Sequence, residues 1–125
     1  MPEHLAPGFD VRRVYEDVHD GNSYRVLIDR LWPRGLKKEA AGLDEWARDA
    51  APSAELRRWY GHDRSKFHEF ARRYREELTR PPASDEVERL RSLALERHVT
   101  LLTATRDVDH SGASVLHDHL VAQER

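Results

Sequence analysis

Two short apolar segments lie far apart in the sequence, and a long stretch with helical periodicity separates them. Residues 24–28 (Tyr-Arg-Val-Leu-Ile) and residues 99–103 (Val-Thr-Leu-Leu-Thr) have the aliphatic, aromatic and β-branched composition of buried strands. Strands that are joined through helices pair in parallel, with right-handed crossovers. The sequence therefore predicts an α/β fold, a small single domain with a parallel or mixed sheet flanked by helices.

The N-terminal part of the chain divides into an arm and the start of the domain. Residues 1–10 contain two prolines and a glycine, which predicts a flexible N-terminal arm. Residues 11–125 are expected to form a single α/β domain. Within it, residues 11–15 favour a short edge strand, and residues 19–22 have the Asp, Gly and Asn composition of a turn.

Start and stop signals place the helices in the middle of the chain. Ser53 is expected to cap a helix that ends near Gly61, and Asp63 to cap the next one. Ser84 is expected to cap a third helix after a pair of prolines. Residues 43–51 fit either a helix or a strand.

A polar loop follows each of the two apolar strands. Residues 29–35 and residues 105–110 are both rich in Asp and Arg, and the second loop adds a histidine. In open parallel sheets, ligands bind beyond the carboxyl ends of the strands. The sequence therefore predicts that the two loops share one rim of the sheet, where a ligand site is expected.

The residue types at this rim fit an anionic ligand: a phosphorylated small molecule, a nucleotide or a nucleic-acid end. Guanidinium groups recognise phosphate, and an aromatic ring can stack on the ligand or wall the pocket. The predicted ligand-binding residues are Arg30, Trp32, Arg34, Arg106 and Ser111. Three further residues are predicted to orient the ligand or to transfer protons as catalytic groups, namely Asp29, Asp107 and His110. The sequence identifies no cofactor.

Other interpretations of the same residues stay open. The Arg and Asp side chains of the two loops can pair with each other and only hold the loops together. A metal or haem site using His62 or His110 is a further alternative. Asp63 can orient His62 as a base, or the two residues can simply lie at helix ends. A non-enzymatic protein-interaction module would use exposed pairs such as Arg57 and Arg58.

Composition excludes several classes of function. The chain has no cysteine, which excludes disulfides, thiolate metal sites and cysteine nucleophiles. Its net charge of −2 argues against nucleic-acid binding driven by bulk charge, although all but three of the 21 basic residues are arginine. No apolar run approaches the ~20 residues of a membrane span. We therefore expect a cytoplasmic protein with no membrane partner, and a homo-oligomer stays open.

Residues 25–35, Arg-Val-Leu-Ile-Asp-Arg-Leu-Trp-Pro-Arg-Gly, resemble the YeaO-like branch of the domain of unknown function 488 family. The resemblance covers nearly all of the chain from Val11 onward. It implies a small cytoplasmic bacterial α/β domain without an assigned reaction. The chain departs from the family pattern at Ser111, where an asparagine is usual, and at residues 103–105, where Thr-Ala-Thr replaces a more usual Tyr-Ala-Ala. If that asparagine positions a ligand, Ser111 has a shorter reach for the same role.

Overall fold

A computed structural model describes residues 5–16 and 21–122 of the chain. Within these residues, four parallel strands form one sheet in the order β1-β4-β2-β3. The strands are β1 (Gly8–Arg13), β2 (Tyr24–Leu27), β3 (Glu45–Trp46) and β4 (His98–Thr103). The predicted α/β class is confirmed, and the first strand lies at an edge of the sheet as expected.

Five helices flank the sheet in the described part of the chain. They are α1 (Lys38–Ala41), α2 (Ala54–Tyr60), α3 (Phe67–Glu77), α4 (Ala83–Glu96) and α5 (Gly112–Ala122). Three short 3-10 turns, at Arg48–Ala50, Arg64–Lys66 and Val108–His110, complete the connections. The long crossover between β2 and β4 therefore contains β3 and four of these helices.

The predicted cap and end of α2 are confirmed, whereas Asp63 caps the 3-10 turn before α3 and Lys66 occupies the cap position of α3 itself. The Ser53 hydroxyl accepts a hydrogen bond from the Leu56 N–H at 3.1 Å. Gly61 ends α2 with a φ of 52°, a conformation that glycine adopts without the steric cost of a Cβ. The Asp63 carboxylate accepts from the Ser65 N–H at 3.0 Å and so caps the following 3-10 turn.

Other predicted boundaries are wrong or fall outside the described residues. The third helix begins at Ala83 with Pro82 at the cap position, so Ser84 lies in its first turn and is not the cap. Strand β1 begins at Gly8, which pairs with His98, so it includes three residues predicted for the arm. The predicted arm and turn also contain residues 1–4 and 19–20, which lie outside the described residues.

The core is built around the two central strands, β2 and β4. Val26, Leu27, Leu101 and Leu102 are fully buried, although successive side chains of a strand point to opposite faces. Both faces of the sheet are therefore covered, as is usual for parallel sheets. Burying each such side chain stabilises the fold by about 1.5–3 kcal/mol, so these two strands are rigid supports for the loops that follow them.

Glu45 anchors the two-residue strand β3. Its carboxylate accepts hydrogen bonds from the Arg89 guanidinium, with Nη1 at 2.8 Å from Oε1, and from the Tyr24 hydroxyl at 2.7 Å. Burial raises the pKa of Glu45, but these hydrogen bonds outweigh it and hold the pKa below its ordinary value of 4.5. The ionised carboxylate therefore stabilises the fold above pH 4.5, and this contribution is lost as the pH falls through the folded pKa.

We expect Glu45→Gln to lower the free energy of unfolding by about 1–2 kcal/mol at pH 7, because neutral hydrogen bonds replace charged ones. The difference from the wild type should shrink as the pH falls below 4.5. Urea unfolding at several pH values measures this difference. Glu96→Gln, at an exposed glutamate on α4, is the control. An equal loss in both variants, or a difference independent of pH, would contradict the anchoring role.

Candidate functional site

A cleft of about 680 Å³ lies at the carboxyl ends of the strands. Its walls come from the residues after β1, β2 and β4, from Pro52, from α2 and its C-terminal end, and from the start of α5. The candidate residues in its lining are Asp29, Arg30, Trp32, Arg34, Arg106, Asp107 and Ser111. The two polar loops thus lie on one rim of the sheet, and His110 is the candidate residue outside the lining.

Asp29 joins the ends of the two central strands. One carboxylate oxygen accepts from the Thr103 hydroxyl at 2.7 Å, and the other accepts from the Ala104 N–H at 2.7 Å. Burial raises the pKa of Asp29 above its ordinary value, and the two hydrogen bonds only partly oppose this effect. Both oxygens are therefore engaged within the protein, and the side chain connects the loop after β2 to the loop after β4.

Arg30 and Trp32 also contact the protein's own backbone. The Arg30 guanidinium donates from Nε to the Pro52 carbonyl at 2.8 Å, and the Trp32 indole donates to the Leu36 carbonyl at 2.6 Å. The Trp32 ring packs edge-on against Trp46, with 5.4 Å between ring centroids. These contacts within the protein fix the shape of the loop after β2.

Three arginines in the lining differ from Arg30. The side chains of Arg34, Arg57 and Arg106 make no hydrogen bond and no ion pair with the part of the chain that the structure describes. Asp29 and Asp107 pair with other residues, so the interpretation in which loop arginines and aspartates neutralise each other is wrong for these three arginines. The cleft therefore contains guanidinium groups that are available to an anion.

Asp107 and His110 form a local pair at the edge of the cleft. Asp107 accepts from the Arg64 guanidinium at 2.7 Å and lies 3.2 Å from Nδ1 of His110. The hydrogen bond with His110, and then that with Arg64, hold the pKa of Asp107 below its ordinary value. The His110 ring packs edge-on against Phe67 at 5.0 Å, away from the cleft.

Ser111 lies in the cleft wall but is fully buried. Its hydroxyl donates to the Val108 carbonyl at 2.6 Å and accepts from the Ser114 N–H at 3.2 Å, so it caps the start of α5. The next residue, Gly112, has no side chain, and a Cβ at this position would lie only 3.2 Å from Pro52. The glycine therefore permits the close approach of α5 to the Pro52 wall. A ligand-binding role for Ser111 stays a prediction.

Sequence reasoning missed several residues of this cleft, namely Arg13, Tyr15, Arg57 and Tyr60. Arg13 is the last residue of β1, so the rule that placed the other two loops applies to it equally. Its Nε atom is buried, and among the described residues it is the one buried side-chain N or O atom without a hydrogen-bond partner. Arg57 lies inside α2, where no spacing or motif marks it.

His62 also lines the cleft, in a left-handed conformation with a φ of 60°. The Asp63 carboxylate accepts from the N–H and hydroxyl of Ser65, so it does not orient the imidazole. The two residues lie between helices as that interpretation has it, but Asp63 caps a 3-10 turn and not α3. Over residues 5–16 and 21–122, no group of three or more His, Asp and Glu side chains is placed to hold a metal ion.

Comparison with known proteins identifies the family. Residues 8–125 match a family described as the inactive DUF488-N3 subclade. The chain belongs to the DUF488 family. YeaO of Escherichia coli strain K12, an uncharacterized protein, is 37% identical over 109 residues, which cover 87% of this chain and 93% of YeaO. Uncharacterized proteins of Mycobacterium tuberculosis and Mycobacterium bovis are each 48% identical over 106 residues, or 85% of this chain and 87% of theirs. No solved structure gives a significant match.

In this DUF488 chain, the segment of residues 29–35 divides into two sets of side chains. Asp29, Arg30 and Trp32 hydrogen-bond within the protein and build the loop. Leu31 and Arg34 are exposed in the cleft lining. Among the described residues, no helix has both the length and the apolar composition needed to cross a membrane. This segment therefore combines a structural framework, Asp29, Arg30 and Trp32, with two side chains exposed in the cleft.

Proposed function

We propose that the cleft binds a phosphate-bearing ligand through its arginines, and that this DUF488 protein acts in the cytoplasm as a binding protein without catalysing a reaction. The observation that carries the proposal is a set of three unpaired arginines in the cleft lining, Arg34, Arg57 and Arg106. Their guanidinium groups make no hydrogen bond and no ion pair with the described residues. Each guanidinium carries five N–H donors, so three unpaired ones in one cleft are suited to hold a phosphate group.

The charge of the lining supports an anion. Five arginines line the cleft together with two aspartates, Asp29 and Asp107. Both oxygens of Asp29 accept hydrogen bonds from Thr103 and Ala104, and Asp107 is already paired with Arg64 and His110. Arg13 also lies 3.6 Å from the Glu16 carboxylate. Arginines still outnumber the neighbouring carboxylates, so the local charge is positive although the whole chain carries −2. Guanidinium groups bind phosphate through paired, charge-assisted hydrogen bonds.

The predicted catalytic residues favour binding over catalysis. Both oxygens of Asp29 accept hydrogen bonds from the protein, and Asp107 pairs with Arg64. His110 packs against Phe67 outside the cleft lining. A general base must reach the proton that it removes, and none of the three side chains is free in the cleft. The description of the matched family as inactive agrees with this proposal.

We expect Arg57→Ala and Arg106→Ala each to weaken the binding of inorganic pyrophosphate by about tenfold or more, because each loses a charge-assisted hydrogen bond. Isothermal titration calorimetry at constant ionic strength measures the dissociation constant. In the wild type, pyrophosphate at about 100 times that constant should stabilise the fold by roughly 2.7 kcal/mol, which raises the unfolding midpoint by roughly 10 °C.

Arg58→Ala is the matched control for Arg57→Ala. Arg58 is the next residue of the same helix, is also exposed, and is absent from the cleft lining. Its substitution should leave the dissociation constant unchanged. No binding of pyrophosphate to the folded wild type, or equal losses in the Arg57 and Arg58 variants, would overturn the proposed function.

A further inference from the structure

Tyr15 presents an exposed aromatic ring in the cleft wall. Tyr15 is 42% exposed, which is high for a large aromatic residue in the wall of a cleft. The Arg13 guanidinium lies over the ring, with 4.8 Å between the guanidinium carbon and the ring centroid. The phenol hydroxyl donates to the Arg34 carbonyl at 2.6 Å. Arg13 and the Arg34 carbonyl therefore fix the position of the ring, while a large part of the Tyr15 surface stays exposed.

The position of this ring links it to the phosphate-binding arginines. Arg13 covers one face of the ring, so the exposed area lies on the opposite face and the edges. The residues that hold the ring, Arg13 and Arg34, both line the cleft as well. Leu31, which is 59% exposed, adds a second apolar surface to the same lining. A ligand that contacts both kinds of surface must combine an anionic group with a flat, apolar part.

We infer that the phosphate-bearing ligand is a nucleotide, with its base stacked on the open face of Tyr15 and its phosphate on the arginines. This inference rests on the proposed function and names the ligand class of the same cleft. A sugar phosphate has the anion but no flat face, and an inorganic anion would leave Tyr15 and Leu31 exposed. The cleft volume of about 680 Å³ is in the range of pockets that hold small organic ligands rather than single ions.

The test compares the binding of AMP, CMP, ribose 5-phosphate and inorganic phosphate by isothermal titration calorimetry. The two nucleotides should bind about tenfold or more tightly than ribose 5-phosphate, because base–aromatic stacking adds to the phosphate contacts. Tyr15→Leu should remove this preference, which is measured as the ratio of the nucleotide and ribose 5-phosphate affinities of the same variant. Tyr15→Phe keeps the ring and should keep most of the preference. The unfolding midpoint without ligand checks that both variants are folded.

A 5′-phosphorylated dinucleotide distinguishes a free nucleotide from the end of a nucleic acid, since both present a base and a phosphate. If it binds more tightly than AMP, the ligand is the end of a nucleic acid; if it binds more weakly, the ligand is a free nucleotide. Both results support the inference when Tyr15→Leu weakens the binding.

The outcomes also separate this inference from the proposed function. Equal affinity for ribose 5-phosphate and AMP, with both lost in Arg106→Ala, would overturn the nucleotide assignment and leave the phosphate site standing. A nucleotide preference that Tyr15→Leu does not change would also overturn the stacking role. No binding of any of these compounds to the folded wild type would overturn both.

Discussion

Tyr74→Ala is expected to lower the free energy of unfolding by about 4 kcal/mol, which is typical of an aromatic side chain removed from a core. Tyr74 is completely buried on α3, and its ring packs at a tilt beside Phe70, with 5.9 Å between ring centroids. Its hydroxyl donates to the Ala50 carbonyl. The alanine variant leaves a large cavity and an unpaired buried acceptor, and both effects destabilise the fold.

Tyr74→Phe separates these two effects. It keeps the ring and leaves only the Ala50 carbonyl without its donor, so we expect a loss of about 1–3 kcal/mol. Denaturant unfolding followed by tryptophan fluorescence gives both values. Equal losses in the two variants would mean that the hydrogen bond, and not the packing of the ring, accounts for the effect of the alanine variant.

The Tyr74 hydroxyl also connects the core to the cleft. Ala50 is followed by Ala51 and Pro52, whose carbonyls face the Arg30 guanidinium at 3.5 and 2.8 Å. Pro52 is itself part of the cleft wall. The core therefore positions the Ala50–Pro52 segment, and that segment in turn holds the loop after β2.

Local chemistry explains which parts of the fold could be predicted from the sequence. The cap at Ser53 and the stop at Gly61 depend on side-chain and backbone preferences that act within one helical turn. Strand β3 could not be predicted in this way, because two residues carry no periodicity. Glu45 is held in the sheet by Arg89 and Tyr24, which are distant in the sequence.

The same distinction applies to the site. The rule for carboxyl ends of parallel strands correctly brought the loops of Arg34 and Arg106 to one cleft. The rule did not assign partners: the pairing of Asp29 with the Ala104 N–H depends on how β2 and β4 align, and the sequence does not show that register. Arg57 lines the cleft because α2 packs beside the carboxyl ends of the strands, and the sequence does not show that packing.

Asp29→Ala is expected to lower the free energy of unfolding by about 3 kcal/mol. The raised pKa of Asp29 means that burial penalises the ionised carboxylate more than its hydrogen bonds favour it. The loss therefore comes chiefly from the Ala104 N–H and the Thr103 hydroxyl, which the variant leaves without their acceptor. Asp49→Ala, at an exposed aspartate, is the control and should change the free energy of unfolding by less than about 0.5 kcal/mol.

Asp29→Asn tests whether this side chain is a structural link. The amide oxygen can still accept one hydrogen bond, and no charge is buried, so we expect a loss of about 1 kcal/mol at pH 7. Burial raises the folded pKa of Asp29 above the ordinary value of 3.8. In the pH window between 3.8 and the folded pKa, the folded protein therefore binds more protons than the unfolded chain. The contribution of Asp29 to the free energy of unfolding therefore falls as the pH rises through the window, opposite in sign to that of Glu45.

The variant lacks this dependence, so its deficit relative to the wild type should be largest at acid pH and smaller above the folded pKa of Asp29. Unfolding curves from pH 3.5 to 7 for both proteins measure the difference. A deficit that grows with rising pH would instead mean that the ionised carboxylate is favoured in the fold. The hydrogen bonds from Thr103 and Ala104 would then outweigh the burial of Asp29, as the hydrogen bonds from Arg89 and Tyr24 do for Glu45.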